Sequence, residues 1–415
     1  MRHRNAHCAL IAIVTVACEG RGTLDRTDPT CGPGTHVEGK SCVPDGTFDT
    51  DSSSDTDGGG SSDTDAGGTS DTDPATLRYD VCDDGVAPFT TLQDAIDAAQ
   101  DGDVITLCPG RWYRGTLEGR ELTIEGIDGP DQTIIEGSAT AAALTVVDST
   151  LTVRGLTLTN RSVHSSVPTC LSAEGSNVSG ENLVLTGVQA VTLDSSYLLK
   201  LNDTDSTWEH VHIHDNKLAG TLVVVNGGSF DLRHSTFDHN TSPGGGGSFD
   251  DLSALAAYTL SGEISNNLFY GNTTTGSHPD EWFKLSAKTG HSLLVSNNVF
   301  HENTAPSSCA LATIDQFVDF RNNIVSRNCG PVRGETASAS MHYTLNFQNA
   351  STSQQLTGTG NLADDPLFTD PAHGFFAFPA GRSPAENAGD PAAAFKDVDG
   401  SRNDMGAYGG PTGAW

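Results

Sequence analysis

Two short stretches carry residue types that do chemistry on sugars or metals. Asp250-Asp251 lies in a Gly-rich run, Thr241 to Leu252, and Asp280-Glu281-Trp282 closes a second run, Thr273 to Trp282, with Lys284 just beyond. Paired carboxylates can act as acid and base on a glycosidic bond, or hold calcium against a uronate, and an indole can stack on a sugar face. Lys284, Lys288 and Arg333 are the nearby cations that could take a proton beside a carboxylate. A chain with 53 acidic residues brings two carboxylate-bearing loops together by chance, however, and Trp282 can equally cover core beneath its loop. A second group is the histidines His210, His212, His214, His234 and His239, with Asp215 and Asp238 close by. Stacking would set His214 beside Asp238, an acid–base or metal arrangement, although such residues more often form a solvated polar face. No CxxC spacing exists, and no metal site is assigned.

What must position these residues is read from composition and repetition. The chain has 415 residues, 22 basic against 53 acidic side chains and a formal charge of −31. Such a body repels nucleic acid and anionic lipid surfaces alike. Gly, Ser, Thr, Asn and Asp abound while Lys, Arg and Met are scarce, which disfavours a helical protein. One motif recurs: Ser265-Asn266-Asn267-Leu268-Phe269, Ser296-Asn297-Asn298-Val299-Phe300 and Arg321-Asn322-Asn323-Ile324-Val325. Looser copies put equivalent apolar residues at Leu158, Leu185, Ile213, Phe237, Phe269, Phe300 and Val325, separated by 27, 28, 24, 32, 31 and 25 residues. A period in the twenties marks a solenoid. Each period holds three short alternating apolar runs, for example Phe283 to Ala287, Ser292 to Ser296 and Val299 to His301, which is strand chemistry. The Asn doublets fall between the second and third runs, where a bend needs a residue tolerant of left-handed backbone angles. Coils stacked at ~4.8 Å would let each Asn bond its neighbours above and below.

The pattern resembles the right-handed parallel β-helix superfamily, the pectate-lyase-like fold, over most of Leu77 to Asp370. The expectation is therefore an all-β right-handed solenoid. In the segment Phe89 to Tyr113, Thr90 or Thr91 would cap a helix whose Leu92, Ala95, Ile96 and Ala99 share a face and cover the first coil. Residues 371–415 are expected to cap the other end. Within them Asp397-x-Asp399-Gly400 is a fragment of a calcium loop lacking its bidentate Glu, so a structural turn is the reading preferred. Polysaccharide-active proteins of this fold place their grooves beside the first strand of each coil, where Asp250, Asp251, Asp280, Glu281, Trp282 and Lys284 would meet. The Arg-rich signature of pectate lyases is absent, as are the linked Asn-Thr-Asp, Gly-His-Gly and Arg-Ile-Lys motifs of polygalacturonases. That absence turns the reading towards glycan or surface binding without catalysis. A polysaccharide lyase or glycoside hydrolase is the alternative, and a purely structural spacer a third. No cofactor is implied beyond weakly held calcium.

The address is read from the start of the chain. Arg2 and Arg4 precede an apolar stretch, Ala9 to Ala17, too short to span a bilayer core of ~30 Å, so residues 1–17 read as an export signal. Thr15-Val16-Ala17-Cys18 resembles the lipobox of bacterial lipoproteins, with Thr15 in place of the usual Leu. The resemblance implies acylation of Cys18 and a membrane anchor, and Glu19, in place of a retention Asp, points to the outer membrane. Ordinary cleavage and secretion is the alternative. Economical disulfides in an oxidising envelope are Cys31 with Cys42, Cys82 with Cys108 and Cys309 with Cys329, leaving Cys170 as the odd thiol. Residues 18–43 form the Cys-stapled segment. Residues 44–76 carry nine Asp residues and four Asp-Thr-Asp triplets, an acidic disordered linker with a reach of about 30 Å. The β-helix follows at 77–370. The chain is expected to be monomeric, with polysaccharide and membrane, but no nucleic acid, as partners.

Overall fold

The computed structural model describes residues 76–83, 85–161, 169–190, 196–242, 254–275, 281–306, 309–350 and 358–413, and the backbone of two strands nearer the start. Those two, Thr35–Glu38 and Ser41–Pro44, pair antiparallel within a separate unit, 1–71. The segment expected as an export signal, Cys18, Cys31 and the acidic segment up to residue 75 lie outside the described residues, as does the Cys42 side chain.

The larger unit is a right-handed parallel β-helix. One face is a sheet of nine parallel strands: Gly115–Glu118, Leu144–Val147, Leu171–Glu174, Tyr197–Asn202, Thr221–Asn226, Leu255–Thr259, Glu281–Ala287, Ala310–Ile314 and Val332–Gly334. The second and third runs of every coil join a 19-stranded parallel arrangement. Register follows the apolar rhythm, with Leu158, Leu185, Ile213, Phe237, Phe269, Phe300 and Val325 paired in succession. A one-residue slip would turn each of these buried side chains outward, so the register is strongly specified. Inside, rings stack at the coil spacing: Phe237 to Phe269 at 4.9 Å, and Phe269 to Phe300 at 5.0 Å with planes 8° apart.

The corners share a left-handed residue, followed in the later coils by one whose side chain ladders along the stack. Between the second and third runs the left-handed residues are His210, His234, Asn266, Asn297 and Asn322, with φ of 53°, 47°, 56°, 54° and 56°. The residues after Asn266, Asn297 and Asn322 are laddered: the Asn298 carboxamide oxygen accepts from Asn267 Nδ2 at 3.0 Å, and that of Asn323 accepts from Asn298 Nδ2 at 3.0 Å. A second ladder follows the third run, joining Asn216, Asn240, Asn272, Asn303, Asn328 and Asn349 at 2.8 to 3.0 Å. Side-chain amides thereby satisfy corner backbone N–H groups that water cannot reach.

In-register coils also explain the disulfides. Cys82 and Cys108 occupy equivalent positions on adjacent coils, following strands Arg78–Val81 and Asp103–Leu107, with Cα atoms 5.1 Å apart. Cys309 and Cys329 do the same, each three positions ahead of the paired Ala312 and Val332, at 5.5 Å. Both separations match the coil spacing and the range a bridge accepts. Cys170 is a buried thiol, and burial pushes its pKa up.

Helix α1 (Leu92–Ala98) is capped by the Thr91 hydroxyl, which accepts from Asp94 N at 3.2 Å. Its Leu92, Ala95 and Ile96, with Ala99, are buried against the start of the core. An added Cβ at Gly115 would fall 2.7 Å from Ile96 Cδ1, so this glycine sets how closely helix and first strand approach.

The C-terminal segment packs against the third-run side of the coils. Its described residues run along the flank, covering outward-facing Leu268, Val299, Ile324 and Leu345 with Phe376, Ala385, Met405 and Ala407. Left-handed corners point their Asn side chains outward, and this segment binds them: Asn266 Nδ2 donates to the Ala407 and Gly409 carbonyls, and Asn322 Oδ1 accepts from Asp390 N at 2.8 Å. An apolar outward column on the third run demands a cover, which is the physical reason for the strap. The Asp397 and Asp399 carboxylates accept backbone N–H groups of Gly410 and Ser401, at 2.6 and 2.9 Å.

Candidate functional site

The nine-stranded face carries two adjacent outward columns. Strand alternation turns residues i and i+2 to the same side, and parallel pairing lines up their equivalents across coils. One column runs Lys200, Val224, Ala256, Lys284, Thr313 and Arg333, and the other Asn202, Asn226, Tyr258 and Ser286. Three of the 22 basic residues of a strongly acidic chain thus fall on one line. At ~4.8 Å per coil, Lys200 and Lys284 stand about 14 Å apart, and Lys284 and Arg333 about 10 Å.

Lys284 is the centre of this strip. Its Nζ lies 3.6 Å from Glu281 Oε1 and 5.7 Å from the centroid of the exposed Tyr258 ring. Glu281 is fixed in turn by the Thr313 hydroxyl, which donates to its Oε2. Two coils away Asn226 Nδ2 donates to Asn202 Oδ1 at 3.2 Å, presenting amides on the same surface as the tyrosine. Amides, an aromatic face and an ammonium at fixed spacing suit a polyhydroxylated, carboxylate-bearing chain lying across the strands.

Of the residues singled out from sequence, the structure brings Glu281 and Lys284 together here. Trp282 is corrected: although it shares the alternation phase of Lys284, it is 3% exposed and packs with the main core, so it offers no face to a sugar. Asp250, Asp251 and Asp280 lie outside the described residues. Tyr258, Thr313, Asn202 and Asn226 are additions that sequence reasoning missed. Their signal was present, since each occupies an outward position of a run whose inward partners repeat, but the register needed to see them as one strip came only with the coordinates.

A second constellation sits on the third run, just beyond the strap. His214 is in register with Asp238, as expected, yet the carboxylate is taken by others. His212 Nε2 lies 2.5 Å from Asp238 Oδ1, and His239 Nδ1 lies 2.5 Å from Oδ2. His214 instead meets Asp215 at 2.8 Å, and its ring packs 4.2 Å from that of His212. Burial opposes charge on Asp238, but hydrogen bonds from His212 and His239 and the charge of those rings outweigh it and hold the carboxyl below the usual range. In the next coil Tyr270 is pushed up to about 12, by burial first and then by the Asp238 charge. The result is a carboxylate clamped between two partly exposed imidazoles, able to orient a ring nitrogen towards solvent.

No protein-family profile matches the sequence, and no curated protein matches it. Solved structures do. A crystal structure of pectate lyase Pel9A aligns with 80% of this chain and 96% of its own length at 14% identity, with a TM-score of 0.48. Pectin methylesterase from carrot aligns with 69% of this chain and 88% of its own, at 14% identity and a TM-score of 0.36. Alginate lyase from Paenibacillus sp. str. FPU-7 aligns with 66% and 96%, at 12% identity and a TM-score of 0.29. Likeness at such identities concerns fold, and the fold is established by the strand pairings themselves: this chain is a parallel β-helix protein.

Proposed function

We propose that this chain is an exported, cell-envelope β-helix that binds a carboxylate-bearing polysaccharide across its nine-stranded face without cleaving it. The observation that carries this reading is the outward strip of exposed Asn226 and Tyr258 with part-exposed Asn202 and Lys284, flanked by Lys200 and Arg333 in strict register. A rigid sheet offers contacts at a fixed repeat, and the column supplies positive charge on a chain whose net charge is −31. Two disulfides fit an oxidising compartment, and no helix among the described residues is long and apolar enough to cross a membrane. Anchoring through an acylated Cys18 is part of the proposal and rests on the sequence alone. Mass spectrometry of the mature N-terminus tests it, and an unmodified start elsewhere rejects the anchor.

The binding reading is tested by titrating acidic and neutral oligosaccharides into the full chain by calorimetry. Saturable binding to a uronate polymer that weakens about tenfold in Lys284→Ala and in Tyr258→Ala supports it. Binding unaffected by both substitutions refutes it, and no saturable binding on the panel leaves the spacer reading. A catalytic second reading is favoured by the clamped Asp238. Release of reducing ends, or of the absorbance of unsaturated uronates, that disappears in Asp238→Asn, Asp250→Ala or Asp280→Ala but survives in a remote acid variant would establish an enzyme.

A further inference from the structure

A separate cluster sits at the corner between the second and third runs of two adjacent coils. His210 and His234 hold the left-handed position that Asn occupies in later coils, and Glu209 precedes His210. The rings stack with centroids 5.4 Å apart. Glu209, His210 and His234 each offer one ligand atom, and these atoms all lie within 4.8 Å of one another.

The hydrogen bonds of His234 carry the argument. Its Nε2 is 2.6 Å from the Thr412 carbonyl oxygen, which can only accept, so Nε2 carries the proton. In the neutral ring Nδ1 is then a lone pair, yet it faces Glu209 Oε1 at 3.1 Å. Two acceptors do not sit at that distance without positive charge between or upon them. An extra proton on the ring or a metal ion supplies that charge. The neighbouring His210 decides between them, because an imidazolium needs no third donor whereas a metal does. An imidazole whose other nitrogen donates to a backbone carbonyl is also the usual outer arrangement of a metal-ligating histidine, fixing tautomer and ring plane.

We propose that Glu209, His210 and His234 bind a divalent transition-metal ion of the zinc class, with the Thr412 carbonyl as the outer partner of His234. Two imidazoles and one carboxylate suit zinc or cobalt(II) rather than calcium, which takes oxygen ligands. Zinc–ligand bonds of about 2.0–2.2 Å would draw the three ligand atoms slightly together. The ion would tie two coils to the last residues of the strap, because His234 reaches both. This site is on a different face from the glycan strip and does not depend on that reading.

The experiment uses the full chain stripped of metal with a chelator and titrated with cobalt(II), read by its visible ligand-field absorbance and by calorimetry with zinc. One ion per chain is expected. Affinity should fall about tenfold or more in Glu209→Gln and in His210→Ala, and should be unchanged in His212→Ala or His239→Ala. His210 is exposed, so its variant tests the site even if His234→Ala fails to fold. Absence of binding at micromolar metal overturns the proposal in favour of a protonated His234. Binding that resists the Glu209 and His210 substitutions but is lost with His212 overturns it in favour of the Asp238 cluster.

Discussion

Asn298 is the sharpest place to test whether amide ladders hold this fold together. Its side chain is fully buried, and its Oδ1 accepts from the Asn267 backbone N at 3.0 Å and from Asn267 Nδ2 at 3.0 Å. Its Nδ2 donates to the carbonyls of Ile264 at 2.8 Å and Ser296 at 3.0 Å, and to Asn323 Oδ1 at 3.0 Å. In Asn298→Ala, Asn323 Oδ1 keeps its bond from the Asn298 backbone N, and Asn267 Nδ2 keeps the Leu232 carbonyl. The Asn267 backbone N and the Ile264 carbonyl lose the ladder partner. At ~1–3 kcal/mol for each buried group left unmet, the expected loss is about 2–6 kcal/mol. Asn226→Ala, an exposed control with a single side-chain bond to Asn202, should change stability by no more than about 0.5 kcal/mol. The assay is urea unfolding followed by circular dichroism, comparing midpoints at unchanged slope, with hydrogen exchange at Asn267 as a local reading. A loss below about 1 kcal/mol in Asn298→Ala, or one equal to that of the control, would refute the claim that corner ladders are structural necessities.

Other expectations follow from the same architecture. Phe269, buried among Phe237, Phe283 and Phe300, should cost about 3–5 kcal/mol when replaced by Ala, measured in the same urea series. His301 is held down to about 4, chiefly by burial beneath Phe368 and Phe376 of the strap. Its folded pKa lies below the unfolded value of 6.5, so the unfolded chain binds the extra proton and stability falls as pH drops from about 6.5 to about 4. Proton NMR should find that titration, and His301→Gln should flatten the stability profile over the same window. The carboxyl of Asp238 is depressed, so its contribution is present above the ordinary aspartate range and is lost as pH falls through the folded value. Urea midpoints of wild type and Asp238→Asn, measured at a series of pH values, should therefore converge as the pH is lowered.

The sequence by itself determined the repeat. Apolar residues recurring every 24 to 32 positions and Asn doublets at the bends dictated strands, stacking and even register, because a buried column and a left-handed corner each tolerate few residue types. Both described disulfides were legible for the same reason, since equivalent cysteines on adjacent coils stand one coil spacing apart. Outward positions obey no such restriction. Nothing in the run Glu281-Trp282-Phe283-Lys284 reveals that the indole is buried while the ammonium meets Tyr258, a residue 26 positions earlier. Nor does it show that the chain's last segment folds back over Leu268, Val299 and Ile324, or that Thr412 reaches His234 from 178 residues away. Those contacts join parts of the chain that share no periodicity, and only the closed coil, by setting every twenty-odd residues side by side, decides which side chains become neighbours.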